Sequence, residues 1–123
     1  MISNWAVNTL LSYSKGGQIK VFLEGYAFAS KGLVFQIAEN TGVLKNKLDI
    51  QGIEFQTVAP QAIKKFATGK GNSSKTVVYE SFVKETSEDL LKNFQLSNPE
   101  ASPINDIADS YFICKYGFNV LTG

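Results

Sequence analysis

Apolar and polar positions alternate with two different periods along the chain. Ile2, Trp5, Ala6, Thr9, Leu10 and Tyr13 recur at helical spacing and predict an opening helix that stops near Gly16-Gly17. Ile19-Lys20-Val21-Phe22-Leu23, closed by Glu24, reads as a strand buried on both faces, followed by a loop carrying Tyr26 and Phe28. Leu33, Ile37, Ala38, Thr41, Leu44 and Leu48 mark a second helix, with Gly42 a weak point inside it. Residues 52–58 give a second strand, where Ile53 and Phe55 alternate with Glu54 and Gln56.

The second half is helical. Pro60 suits a first helical turn and opens a short helix through Phe66. Thr68-Gly69-Lys70-Gly71-Asn72-Ser73 has the composition of a mobile loop. Ser74 can cap a helix over residues 75–84, and Leu90, Leu91 and Phe94 suggest one or two further turns. A last helix starts in Ser102-Pro103-Ile104-Asn105-Asp106 and is expected to end at Gly117. Two strands joined through a helix pair in parallel. The fold class expected is therefore α/β, a short parallel sheet flanked by helices in one domain, 1–123. So small a sheet for so many helices reads as a domain whose earlier strands are absent.

Composition narrows the chemistry. The 123 residues are 44% hydrophobic, which supports one packed core and excludes disorder. No apolar stretch approaches the ~20 residues of a membrane span, and no signal peptide opens the chain, so a soluble, cytoplasmic protein is expected. Cys114 is the single cysteine and reads as a small buried hydrophobe. There is no histidine, which leaves no Cys/His zinc site and no histidine base. Chemistry falls to carboxylates, lysines, hydroxyls or a metal.

Charge is uneven although the net is +1. Residues 55–79 carry Lys64, Lys65, Lys70 and Lys75 and no acid. Residues 80–109 carry Glu80, Glu85, Glu88, Asp89, Glu100, Asp106 and Asp109 against Lys84 and Lys92. Lysines for phosphates beside carboxylates for a cation suit a nuclease; the plainer account is a solvated lysine-rich face. Asp106 and Asp109 lie three apart on a helix and share a face, and Glu24 stands at a strand end. Such an oxygen set suits Mg²⁺ or Mn²⁺ and phosphodiester hydrolysis. Equally, an aspartate in a first helical turn can serve only the helix dipole.

Gly69-Lys70-Gly71-Asn72-Ser73-Ser74-Lys75-Thr76 nearly matches a phosphate-binding P-loop, with Ser74 where glycine is needed. A P-loop must also follow a buried strand, and Ile63-Lys64-Lys65-Phe66-Ala67 looks helical. Three segments together carry a different likeness: Val21-Phe22-Leu23-Glu24-Gly25-Tyr26-Ala27-Phe28, residues 59–75, and Asn105-Asp106-Ile107-Ala108-Asp109-Ser110-Tyr111-Phe112. In this order and spacing, residues 19 to about 118 resemble the RuvC family of Holliday-junction resolvases, in the manner of its phage-type members.

The resemblance implies an RNase H-like fold, a homodimer, and Mg²⁺-dependent cutting of four-way DNA junctions. Glu24 matches the family's second acid, and Asp106 and Asp109 its third and fourth. Lys64 and Lys75 match basic residues near the scissile phosphate. Lys65 and Lys70 would track the DNA backbone, and Tyr26 or Phe28 falls near an aromatic that contacts junction bases. The family's first strand and its aspartate have no counterpart in this sequence. The expectation is thus an N-terminally incomplete RuvC-like endonuclease domain with impaired catalysis. The alternative is a non-catalytic DNA-binding or dimeric assembly module of the same descent.

Overall fold

The computed structural model describes residues 2–14, 17–25 and 34–123. Its elements run α1 (Ile2–Ser14), β1 (Lys20–Glu24), α2 (Val34–Ile50), β2 (Glu54–Val58), α3 (Pro60–Thr68), α4 (Lys75–Thr86), α5 (Leu90–Asn93) and α6 (Ile104–Thr122). This is the mixed α/β arrangement expected, with β1 and β2 forming a short parallel sheet flanked by helices. Among the described residues, no helix is long and apolar enough to cross a membrane. Two compact units divide the chain, Met1–Thr57 and Val58–Gly123.

In the first unit α1 packs on α2, and Val7, Leu48 and Ile53 form the buried centre. Leu10, Ile19, Val21, Leu23, Leu44 and Phe55 close around it. A two-stranded ribbon has too little area to stand alone, so these apolar contacts with the helices carry it. β1 departs from the expectation of a strand buried on both faces: Lys20 to Leu23 are half-buried and Glu24 is exposed. Among the described residues the sheet offers β1 one strand neighbour, which makes it an edge rather than a centre. α2 runs through Gly42 without a break, since one interior glycine costs only ~1 kcal/mol against alanine.

The second unit is built on α3, α4 and α6, which pack pairwise. Ile63 from α3, Val78, Tyr79 and Phe82 from α4, and Ile104, Ala108 and Phe112 from α6 are among its buried side chains, with Leu90 of α5. Edge-to-face ring pairs join the helices: Phe66 with Tyr116 at 5.6 Å and Phe82 with Tyr111 at 5.4 Å. α6 continues past Gly117 to Thr122, where no proline or capping turn stops it at the glycine. Cys114, expected in the core, is exposed. It lies two residues beyond Phe112, on the far side of a helix whose inward positions are 104, 108 and 112.

The glycine loop is a hydrogen-bonded turn between α3 and α4. α3 ends at Gly69, whose φ of 88° is left-handed and whose N–H donates to the Lys65 carbonyl. The Thr68 and Ser73 hydroxyls bond to each other, and Ser73 Oγ donates to the Lys70 carbonyl at 2.8 Å. Ser74 then caps α4 by accepting from the Val77 N–H at 3.3 Å. α3 precedes this turn where a P-loop requires a strand, so the P-loop reading falls. A Cβ at Gly69 meets open space, so replacing it costs backbone strain alone. Gly69→Ala should lower unfolding free energy by about 1–2 kcal/mol in urea titration, without a change in m-value.

Candidate cation and phosphate site

α6 presents its side chains in lengthwise stripes. Ile104, Ala108 and Phe112 point inward. Asn105, Asp109 and Tyr116 fall on the adjoining stripe, because offsets of four and eleven residues return nearly to the same angle. Tyr116 of that stripe meets Phe66 of α3. Asp106 lies in the first turn and accepts from the Ser102 hydroxyl at 2.5 Å. The dipole account of Asp106 is therefore realised, whatever else the carboxylate does.

Asp109 is different. It is half-buried, and burial first, then the neighbouring Asp106 charge, pushes its carboxyl above the ordinary aspartate value. Lys64 of α3 and Lys75 of α4 pull in the opposite direction. The second unit thus brings together four of the residues singled out in the sequence: Asp106, Asp109, Lys64 and Lys75. Lys75 is the first residue of α4, a helix with no acid in its first turn, where a cation opposes the helix dipole. Lys75 is exposed, and its charge acts on Asp109.

Lys65, on α3, and Lys70, in the turn that follows it, are exposed. Glu24 is the exposed last residue of β1 in the first unit. Tyr26 and Phe28 lie outside the described residues. Among the described residues, no three Asp, Glu, Cys or His side chains converge to hold a metal ion. Sequence reasoning passed over Asn105, whose side-chain oxygen is fully covered and has no hydrogen-bond partner. Its spacing of four from Asp109 was the available signal. Carboxylate oxygens are hard donors of the kind Mg²⁺ and Mn²⁺ select.

The raised Asp109 gives a signed test. A carboxyl whose native pKa is raised binds its proton more tightly folded than unfolded, so folding loses stability as pH rises through that range. In a carboxyl-carbon NMR titration, the Asp109 midpoint should lie above the ordinary ~3.9. Asp106→Asn should lower that midpoint, and Lys64→Ala or Lys75→Ala should raise it further. A midpoint indifferent to all three substitutions would dissolve the cluster.

No protein-family model matches the sequence. No curated protein matches it. Among solved structures the chain is similar to the Thermus thermophilus RuvC structure, at 16% sequence identity and a TM-score of 0.59. The match covers 94% of this chain and 67% of that one. At such low identity what is shared is architecture: this chain has a RuvC-like α/β fold.

Proposed function

We propose that the chain is a RuvC-like crossover-junction endonuclease domain of phage type, directed to branched DNA. One observation carries this: a half-buried aspartate, next to a second one, is opposed by two lysines from two other helices of a RuvC-like fold. The likeness to a RuvC structure supports the choice of substrate class. In this proposal Asp106 and Asp109, joined by Glu24, hold Mg²⁺ or Mn²⁺. The bound ion supplies charge stabilisation to a phosphodiester under attack by water.

The chain's own side chains do the remaining work. Lys64 and Lys75 place two ammonium groups where a phosphate oxygen approaches the carboxylates, offsetting the repulsion between them. Lys65 and Lys70 extend the positive surface along the DNA backbone and steer without reading sequence. Tyr26 and Phe28 are the aromatics proposed for the junction bases. A homodimer would present two such faces to one four-way junction and cover the β1 edge.

Lys64→Ala and Lys75→Ala should each flatten the slope of log affinity against log salt by about one unit on junction DNA. Fluorescence anisotropy at several salt concentrations measures this, with duplex DNA as reference. Unchanged slopes would make the lysines ordinary solvated charges.

A second reading, a non-catalytic DNA-binding or assembly module, is favoured by the lack of three converging acids among the described residues. Cleavage separates the two. With no counterpart of the family's first aspartate in this sequence, a purified 123-residue polypeptide should bind junctions yet cut them near background in Mg²⁺ or Mn²⁺. Brisk cutting that Asp109→Asn abolishes would establish the enzyme reading and refute the expectation of impairment.

A further inference from the structure

β1 carries its own complement. Lys20-Val21-Phe22-Leu23-Glu24 puts a cation at one end, a carboxylate at the other and three apolar residues between them. Among the described residues β2 is the one strand neighbour of β1, so the outer edge of β1 presents backbone N–H and C=O groups to an added strand. Two strands are also fewer than a stable sheet ordinarily has.

The two faces of β1 are distinct. Val21 and Leu23, with Ile19, pack on the core of Val7, Leu48 and Ile53. Successive side chains alternate, so Lys20, Phe22 and Glu24 occupy the opposite face. The Lys20 ammonium lies 5.6 Å from the Phe22 ring centre, as neighbours on one face do.

Charge selects the strand that fits this edge. Parallel, in-register copies of β1 would set lysine against lysine and glutamate against glutamate. Antiparallel pairing about a two-fold axis at Phe22 sets Lys20 opposite the partner's Glu24 and Glu24 opposite the partner's Lys20. Val21 then faces the partner's Leu23 on the core side, and the two Phe22 rings meet at the axis. Sliding the register by two residues loses both charge pairs. β2 has no such property, since pairing about its centre, Gln56, would set Glu54 against Val58.

We infer that the β1 edge binds the β1 edge of a second copy of this chain, antiparallel and centred on Phe22. The sheet then runs through four strands, β2-β1-β1-β2, and the interface is closed by its own symmetry. This gives the homodimer proposed above an interface, and it rests on that dimer alone, not on cleavage or a bound cation. Glu24 is exposed and has two oxygens, so accepting from the partner's Lys20 leaves it room for other contacts. One short strand pair is a small interface, so the dimer is weak, dependent on concentration and loosened by salt.

Sedimentation equilibrium of the full chain, from low to high micromolar concentration, tests this. Wild type should dimerise. Lys20→Glu and Glu24→Lys each bring like charges together at both ends of the strand pair and should weaken the dimer about tenfold. The double exchange, Lys20→Glu with Glu24→Lys, should recover wild-type affinity, which a merely destabilised fold would not do. Separately, Phe22→Cys in a Cys114→Ser background should form a disulfide-linked dimer on mild oxidation, because the two positions face each other at the axis.

A dimer indifferent to both single substitutions, or a Phe22→Cys chain that stays unlinked, would overturn this interface while leaving a dimer through another surface. A wild-type monomer at every concentration would overturn the interface and the dimer of the reading above together. Neither result touches the salt slopes on junction DNA, by which that reading stands or falls.

Discussion

The second unit is organised around the cost of partly burying a carboxylate beside another. Removing water from Asp109 disfavours its charge, and Asp106 disfavours it again. Neither contribution helps the fold, and both persist because α6 must lie where its core stripe, Ile104, Ala108 and Phe112, is buried. Offsetting positive charge therefore has to come from the helices packed against α6. It does: Lys64 arrives from α3 and Lys75 from α4, and no other group acts on Asp109 in their sense.

Such an offset works only if the three helices keep their spacing, because charge interactions at partly solvated sites weaken quickly with distance and screening. The packing is cross-linked accordingly. Phe66 meets Tyr116 between α3 and α6, and Phe82 meets Tyr111 between α4 and α6. Glu85 of α4 accepts from both Tyr111 and Lys115 of α6, and these bonds hold its carboxyl below the ordinary glutamate value. Lys115 also lies 5.9 Å from the Phe66 ring centre, so one ammonium touches both neighbouring helices. An exposed ion pair contributes little by itself. Combined with two ring contacts, it fixes the register in which the aspartates face the lysines.

The elements were legible where periodicity and punctuation agreed. Pro60, Ser74 and the 102–106 segment gave α3, α4 and α6 their starts, because proline geometry and a hydroxyl cap are local properties. Errors came where tertiary context decided. β1 looked doubly buried from its apolar run, yet burial depends on how many strands flank it. Gly117 looked like a stop, but a lone glycine ends a helix only when a turn is ready to follow. The turn at 68–74 looked loose because glycine and asparagine are permissive. The hydroxyls of Thr68 and Ser73, whose bonding no composition reveals, tie it down. The spacing of Asp106 and Asp109 announced a shared face, whereas the approach of Lys64 and Lys75 needed the three-dimensional packing.

Asp106 and Asp109 also show how one short helix segment serves structure and chemistry at once. Asp106 accepts from Ser102 and sits in the first turn of α6, at the positive end of the helix dipole. Asp109, one turn further, lacks that dipole benefit and takes the burial cost instead. A carboxyl displaced from its ordinary pKa by burial and a neighbouring charge is a recognised mark of functional sites. Lys75 points the same way from the opposite sign, as a cation opposing its own helix dipole. Two local rules are broken within one small volume, by groups of opposite charge that compensate each other. Chance solvation of surface charges would leave each group free to relax independently; partial burial of Asp109 within packed helices removes that freedom.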